Sequence, residues 1–214
     1  MIDIAVVDYG MGNLRSVSKA LEHVAPNKSI VVTSSPDEIE KAERVVFPGQ
    51  GAMPDCIREL NARGLKEAIL FAASKKPFLG ICIGLQLLFD HSEEGNVSGL
   101  EIFRGNVKKF ESSEMHDSLG NKLKVPHMGW NQVYQSSPHP LWNKIENASR
   151  FYYVHSYYVV PEDKNIVIGE SEYPKRFTGA VAKDNIFAVQ FHPEKSQHAG
   201  LLLLSNFVQW DGQF

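Results

Sequence analysis

The stretch Pro77-Phe78-Leu79-Gly80-Ile81-Cys82-Ile83-Gly84-Leu85-Gln86 closes an apolar run on a cysteine set between two glycines, just where helical spacing begins. Such a stretch reads as a sharp strand-to-helix turn, in which small neighbours relieve the strain and the cysteine stands at the top of the strand. A strand that feeds straight into a helix is also the repeating unit of a parallel sheet covered by helices. The first half of the chain keeps that rhythm. Short β-branched runs at 4–7, 29–33, 44–47 and 77–81 read as buried strands. Between them, 14–24 and 55–74 carry apolar residues at helical spacing, and Ser35-Pro36-Asp37-Glu38 looks like a capped helix start.

The second half changes character. Residues 106–110 and 122–126 flank a polar segment centred on Leu119-Gly120-Asn121, which reads as a hairpin or β excursion. Strands are expected at 151–160, 166–170 and 180–191, and a closing helix at 200–210. No linker-like or repeated segment interrupts the chain, so one domain spanning 1–214 is expected, with 43% hydrophobic residues to build its core. A net charge of −3 gives no basic field for nucleic acid or anionic membranes. Two cysteines in 214 residues are no disulfide framework and suit a reducing compartment. The first residues carry two acids and too short an apolar run for a secretory signal, and Leu201–Leu204 is too short to span a bilayer; a cytoplasmic location is expected.

Three motifs carry chemistry. In the turn around Cys82 a thiolate would gain from a helix N-terminus, whereas Cys56, within a helix-like run, has neither a strained turn nor an obvious base. His192 and Glu194 stand two positions apart at the end of a strand-like run, so their side chains can leave on one side and the carboxylate can orient the imidazole. A Cys-His-Glu set lets the imidazole take the thiol proton and later protonate a leaving amine. Phe47-Pro48-Gly49-Gln50-Gly51 follows another buried strand and would line the same crevice. The main-chain N–H groups of Gln50 and Ile83 are candidates for holding a tetrahedral oxyanion. Gln86, one helical turn beyond Cys82, can line the same mouth. Asp8-Tyr9-Gly10-Met11-Gly12-Asn13 is not a dinucleotide loop, because the third glycine would fall on Arg15; it reads as a tight turn with Asn13 near a helix cap. The eight histidines show no metal-binding spacing, and no P-loop is present, so no metal and no cofactor are expected.

These motifs, in this order, resemble the triad-type, class-I glutamine amidotransferases. Asp8-Tyr9-Gly10-Met11-Gly12-Asn13-Leu14, Pro126-His127-Met128-Gly129-Trp130-Asn131, Val154-His155-Ser156-Tyr157 and Gln190-Phe191-His192-Pro193-Glu194-Lys195-Ser196 are closer still to the amidotransferase subunits of imidazole glycerol phosphate synthases. The resemblance implies a flavodoxin-like α/β fold, with a mostly parallel central sheet, helices on both faces and an added β excursion. It implies glutamine hydrolysis by Cys82, His192 and Glu194, with ammonia passed to a (β/α)8-barrel cyclase subunit in a heterodimer that serves histidine biosynthesis. By position, Gly49, Gly51, Gln86, Glu94, Ser156 and Tyr157 would hold glutamine, and His127, Met128, Trp130 and Tyr152 would face the cyclase. Glu94 has only the resemblance behind it, since Ser92-Glu93-Glu94 by itself reads as a solvated helix end.

Two features depart from the family pattern: Gln50 stands where a small apolar residue is frequent, and Ile83 and Leu85 where Leu and Met are frequent. The second change conserves volume. The first puts a polar amide on the peptide that would complete the oxyanion site. Three other readings stay open at this stage: a paralogue feeding ammonia to another synthetase, such as one in amino-sugar assembly; a silent scaffold; and a cysteine peptidase.

Overall fold

The computed structural model describes residues 2–111, 113, 115–116 and 119–213. Along the first half run β1 (Ile4–Val7), α1 (Leu14–Val24), β2 (Ile30–Thr33), α2 (Pro36–Lys41), β3 (Arg44–Gly49), α3 (Met53–Ala62), α4 (Lys66–Lys75), β4 (Phe78–Cys82) and α5 (Ile83–Gln86). The second half is built from β5 (Phe89–Ser92), β6 (Val97–Ser98), β7 (Phe103–Lys109), β8 (His127–Gln135), β9 (Ser149–His155), β10 (Tyr157–Pro161), β11 (Val167–Glu172), β12 (Arg176–Lys183), β13 (Ile186–Val189) and α6 (Gln197–Gln209).

A nine-stranded sheet in the order β2-β1-β3-β4-β13-β12-β11-β8-β9 forms the frame. Its first five strands are parallel and its last four add on antiparallel. Strands β1, β4 and β13 are uninterrupted buried runs because both of their faces are covered, whereas β2 at the sheet edge leaves Val32 exposed. Helices lie on both faces, with α1 packed against α6 and α2 against α4. In a sheet of this kind ligands bind beyond the carboxyl ends of the strands. Here β3, β4 and β13 are adjacent, with Gly49 opposite Cys82 and Val189 opposite Ile81. Three motifs far apart in sequence therefore emerge side by side at one edge.

The structure corrects several expectations. The segment 55–74 is two helices, not one. Gly64 has φ +64°, its N–H donates to the Asn61 carbonyl, and the Leu65 N–H donates to the Leu60 carbonyl. That pair of bonds is a Schellman stop, which the Arg63-Gly64 pair encodes. The run 151–160 breaks at Ser156, so that β9 joins the large sheet and β10 pairs with β7. The run 180–191 is a hairpin turning at Asp184-Asn185, with Asp184 at φ +52°. The β excursion is a second sheet, β10-β7-β5-β6, rather than a hairpin of 106–110 with 122–126. Residues 122–126 form no strand and contribute one isolated bridge, Lys122 to His116; positions 112, 114, 117 and 118 of this segment lie outside the described residues.

A Cβ at Gly64 would meet nothing within 4 Å, so substitution there tests backbone conformation alone. Gly64→Ala is expected to cost about 1 kcal/mol, lowering the thermal midpoint by about 2–4 °C. An unchanged midpoint in a thermal melt would contradict the helix stop described above.

Candidate active site

Cys82 ends β4 with φ 57° and ψ −110°, a conformation that side chains rarely adopt and that only dense surroundings maintain. The glycines beside it are needed for close approach. A Cβ on Gly84 would lie 1.8 Å from the Phe47 carbonyl oxygen, and one on Gly80 would lie 3.0 Å from Ala188 Cβ. The helix that follows is a single turn, since the Leu87 and Leu88 carbonyls accept from the N–H groups of Leu100, Ile102 and Phe103 instead of continuing it. Its dipole is correspondingly small. The electrostatic support for a thiolate comes instead from His192.

His192 follows β13 and is pinned through its main chain. Its N–H donates to the Tyr152 carbonyl at 2.9 Å, and its carbonyl accepts from Ser196 Oγ at 2.6 Å. Ser196 Oγ in turn accepts from the Tyr152 N–H, closing a ring of bonds between β9 and the histidine turn. Ser196 belongs to the same sequence motif as His192, yet nothing in its spacing signals this role. The His192 ring is 3% exposed, and Nδ1 lies 2.8 Å from Glu194 Oε1. That contact makes Nδ1 the protonated donor and turns Nε2 toward Cys82, whose sulfur is in hydrogen-bonding contact with the ring. Burial by itself pulls the imidazole toward neutrality. Negative charge on the Cys82 sulfur, then the Glu194 carboxylate, outweighs burial and carries the His192 pKa up to about 10. The imidazole is thereby favoured in its protonated form.

Cys82 and His192 open onto a cleft of about 400 Å³ whose wall also includes Gln50, Gly51, Ile83, Gln86, Glu94, Ser156 and Tyr157. Gly49 lies behind that wall, where a Cβ would strike the Tyr9 hydroxyl at 2.2 Å. Glu94 is no solvated helix end: it follows the buried end of β5, and its Oε2 accepts from the Met53 N–H at 2.8 Å, capping α3. This cap across the chain has no local sequence signal, since Ala52 at the cap position offers no acceptor side chain. Lys195 and Pro126 also line the cleft, although their motifs gave neither a role there.

The loop after β3 is anchored from below. Cys56 Sγ donates to the Gln50 carbonyl at 3.5 Å, and the Tyr9 hydroxyl donates to Cys56 Sγ at 3.9 Å. Burial pushes the Cys56 thiol up to about 11, so it stays protonated as a donor. Ile83 opens a helix, and its N–H is one of those left without an intrahelical acceptor.

On β8 the side chains alternate. Met128 and Trp130 are 61% and 43% exposed, and Trp130 meets the half-buried Tyr152 of β9 edge-on at 5.9 Å. His127 points the other way and is only 4% exposed. Its Nδ1 lies 2.8 Å from His155 Nε2, and His155 Nδ1 donates to the Tyr157 carbonyl at 2.8 Å. Burial lowers the His127 pKa to about 4; burial, then His127, lowers that of His155 to about 3. Among the described residues no cluster of His, Cys, Asp and Glu could hold a metal, and no helix is long and apolar enough to cross a membrane.

A glycine-flanked cysteine, a buried His-Glu pair and a glycine loop at adjacent strand ends suit nucleophilic acyl transfer. The profile of class-I glutamine amidotransferases matches residues 5–210. The chain belongs to this family. It is 70% identical over 210 residues to the imidazole glycerol phosphate synthase subunit HisH of Nitrosospira multiformis, covering 98% of this chain and 99% of that one. The HisH subunit of Thiobacillus denitrificans is 67% identical, with 98% and 92% covered. In fold, the glutaminase domain of a Trypanosoma brucei CTPS with bound acivicin gives a TM-score of 0.65 at 17% identity, covering 99% of this chain and 95% of that domain. PurLQS from Thermotoga maritima gives 0.67 at 19%, covering 98% and 99%. Among class-I amidotransferases, the chain stands with the HisH subunits.

Gly84→Ala is expected to destabilise the protein by about 3 kcal/mol or to prevent folding, because its Cβ would meet main chain that has no room to yield. Thermal melts of the variant and wild type check this. A second expectation concerns acid. His127 and His155 are neutral in the fold and protonate freely near pH 6.5 when unfolded, so their contribution is complete above pH 6.5 and is lost as pH falls toward 4. Denaturant unfolding should show stability falling by about 1.4 kcal/mol per pH unit for each histidine between pH 6 and 4.5. A flat profile over that interval would exclude neutral buried imidazoles.

Proposed function

We propose that the chain hydrolyses L-glutamine to glutamate and ammonia, and that the ammonia passes to a (β/α)8-barrel cyclase partner forming imidazole glycerol phosphate and aminoimidazole carboxamide ribotide. The observation that carries the reading is the buried His192–Glu194 pair set against Cys82 at the carboxyl ends of adjacent parallel strands. The Cys82 thiolate attacks the γ-carboxamide carbon, and the carbonyl π pair moves onto oxygen. Main-chain N–H groups of Gln50 and Ile83 receive that oxyanion; losing one such donor typically costs about 10²–10³ in rate. Collapse breaks the C–N bond as His192 Nε2 delivers its proton to the departing nitrogen, leaving ammonia and a γ-glutamyl thioester. Neutral His192 then takes a proton from water, hydroxide adds to the thioester, and sulfur leaves as thiolate. Glu194 keeps the imidazole in one tautomer throughout. Glu94 offers a carboxylate to the substrate ammonium, while Gly49, Gly51, Gln86, Ser156 and Tyr157 shape the rest of the glutamine site.

The partner reading is supported by Met128, Trp130 and Tyr134, all exposed on one side of β8, with Tyr152 alongside. Exposed large apolar and aromatic side chains grouped on one strand face, with Gln132 among them, suit a protein interface. His127, buried beneath it, acts through the strand rather than by touching the partner.

Glutamate release is measured from the chain alone and from the chain with the purified cyclase and its nucleotide substrate. Cys82→Ala and His192→Ala should each abolish glutamine-dependent turnover, while free ammonia still drives the cyclase. Retained glutamine use by Cys82→Ala overturns the catalytic reading. A wild-type rate that ignores the cyclase moves the chain to another synthetase. Trp130→Ala should weaken complex formation at least 10-fold by titration, as expected for an aromatic anchor.

A further inference from the structure

Gln86 and Gln190 form a buried pair whose geometry reaches the nucleophile. Gln86 Nε2 donates to the Tyr157 main-chain carbonyl at 3.1 Å and to Gln190 Oε1 at 3.0 Å. A main-chain carbonyl only accepts, so the Gln86 atom facing it is nitrogen. That nitrogen requires oxygen on the near side of the Gln190 amide. The far side, Nε2, therefore faces Cys82 Sγ, at 3.7 Å. The orientation of both amides follows from one carbonyl that cannot be reversed. Gln190 is wholly buried, and its main-chain N–H is bonded to the Gly179 carbonyl, so the residue is tied at both ends.

The sulfur has another polar neighbour, the Val154 carbonyl at 3.9 Å. A carbonyl accepts from a thiol S–H but repels a thiolate, whereas an amide N–H favours the anion. Hydrogen bonds to a charged acceptor are about twice as strong as neutral ones. We propose that Gln190 is a catalytic residue, donating Nε2–H to the Cys82 sulfur and stabilising its thiolate, and that Gln86 is the positioning residue that aims the donor. The same bond serves when sulfur leaves the thioester and regains its electron pair. The inference rests on Cys82 being the nucleophile of the preceding section.

Iodoacetamide tests it without any need for glutamine recognition, so a failure of the glutamine reading leaves this test intact. The thiolate displaces iodide, forming a C–S bond, and the rate is read on the Cys82 peptide by mass spectrometry across pH. Cys56, fully buried, stays unlabelled while the fold is intact. Gln190→Leu and Gln190→Met should each slow Cys82 labelling about 10-fold at neutral pH and move the rise of the profile to higher pH. Wild-type rates, or slowing with an unmoved profile, in a variant that keeps the wild-type thermal midpoint overturn the proposal. Should both variants fail to fold, Gln86→Met removes the anchor and leaves Gln190 in place. A slower rate with a shifted profile then supports the proposal, and a wild-type profile overturns it.

Discussion

The cleft depends on the close approach of Gly84 to the Phe47 carbonyl. That approach brings the turn after β4 onto the end of β3 with no space for a side chain. The strained Cys82 main chain, the start of α5 and the Gly49-Gln50-Gly51 loop are thereby set within one crevice. Parallel pairing with β13 then delivers Gln190 and His192 to the same edge. A close-packed interior transmits such a constraint because it has few soft directions in which to relax. The same closeness explains Gly49, whose missing side chain leaves room for the Tyr9 hydroxyl.

Electrostatics divides the buried groups of the site into two kinds. His192 is pulled toward charge by its interactions with the Cys82 sulfur on one side and the Glu194 carboxylate on the other, which exceed the cost of burial. His127 and His155 lack a carboxylate partner, so burial leaves them neutral. Neutral imidazoles donate from one nitrogen and accept at the other, which makes them directional links. His155 donates to the Tyr157 carbonyl, so its Nε2 must accept, and His127 Nδ1 must donate to it. Asn131 Nδ2 completes the series at His127 Nε2, 3.3 Å away. The Tyr157 carbonyl is shared with Gln86, so its position is set from both sides.

Much of this was legible in the sequence where a local rule carried the information. The bounds of α1 follow from apolar spacing, and β1 is a run of buried apolar residues, as parallel strands require. The elbow at Cys82 and the His192-Pro193-Glu194 turn are local motifs, and the fold completes them. Other features escaped because their causes are distant. The break at Ser156 depends on two sheets competing for one extended run. The exclusion of 122–126 from the second sheet arises because β7 finds its partners in β10 and β5. Glu94 looks solvated until α3 is placed beside it. The stop at Gly64 and the turn at Asp184-Asn185 are different. Both carry local signals, but these sit within otherwise continuous apolar spacing.

Strand β8 shows how one element can serve two environments. A pleated strand sends successive side chains to opposite faces, so Met128 and Trp130 lie outward for the same reason that His127 lies inward. The outward side exposes Met128, Trp130 and Tyr134 with Gln132 among them, while the inward side begins the polar series that ends at the Tyr157 carbonyl on the cleft wall. The pairing of His127 with His155 and of Trp130 with Tyr152 comes from a single register with β9. A one-residue slip would exchange the faces, burying an indole among hydrogen-bonding groups and exposing an imidazole that has its partners inside. The polar series therefore locks the register that presents these outward side chains. Tyr152 carries the connection further, since its main chain also holds His192 and Ser196.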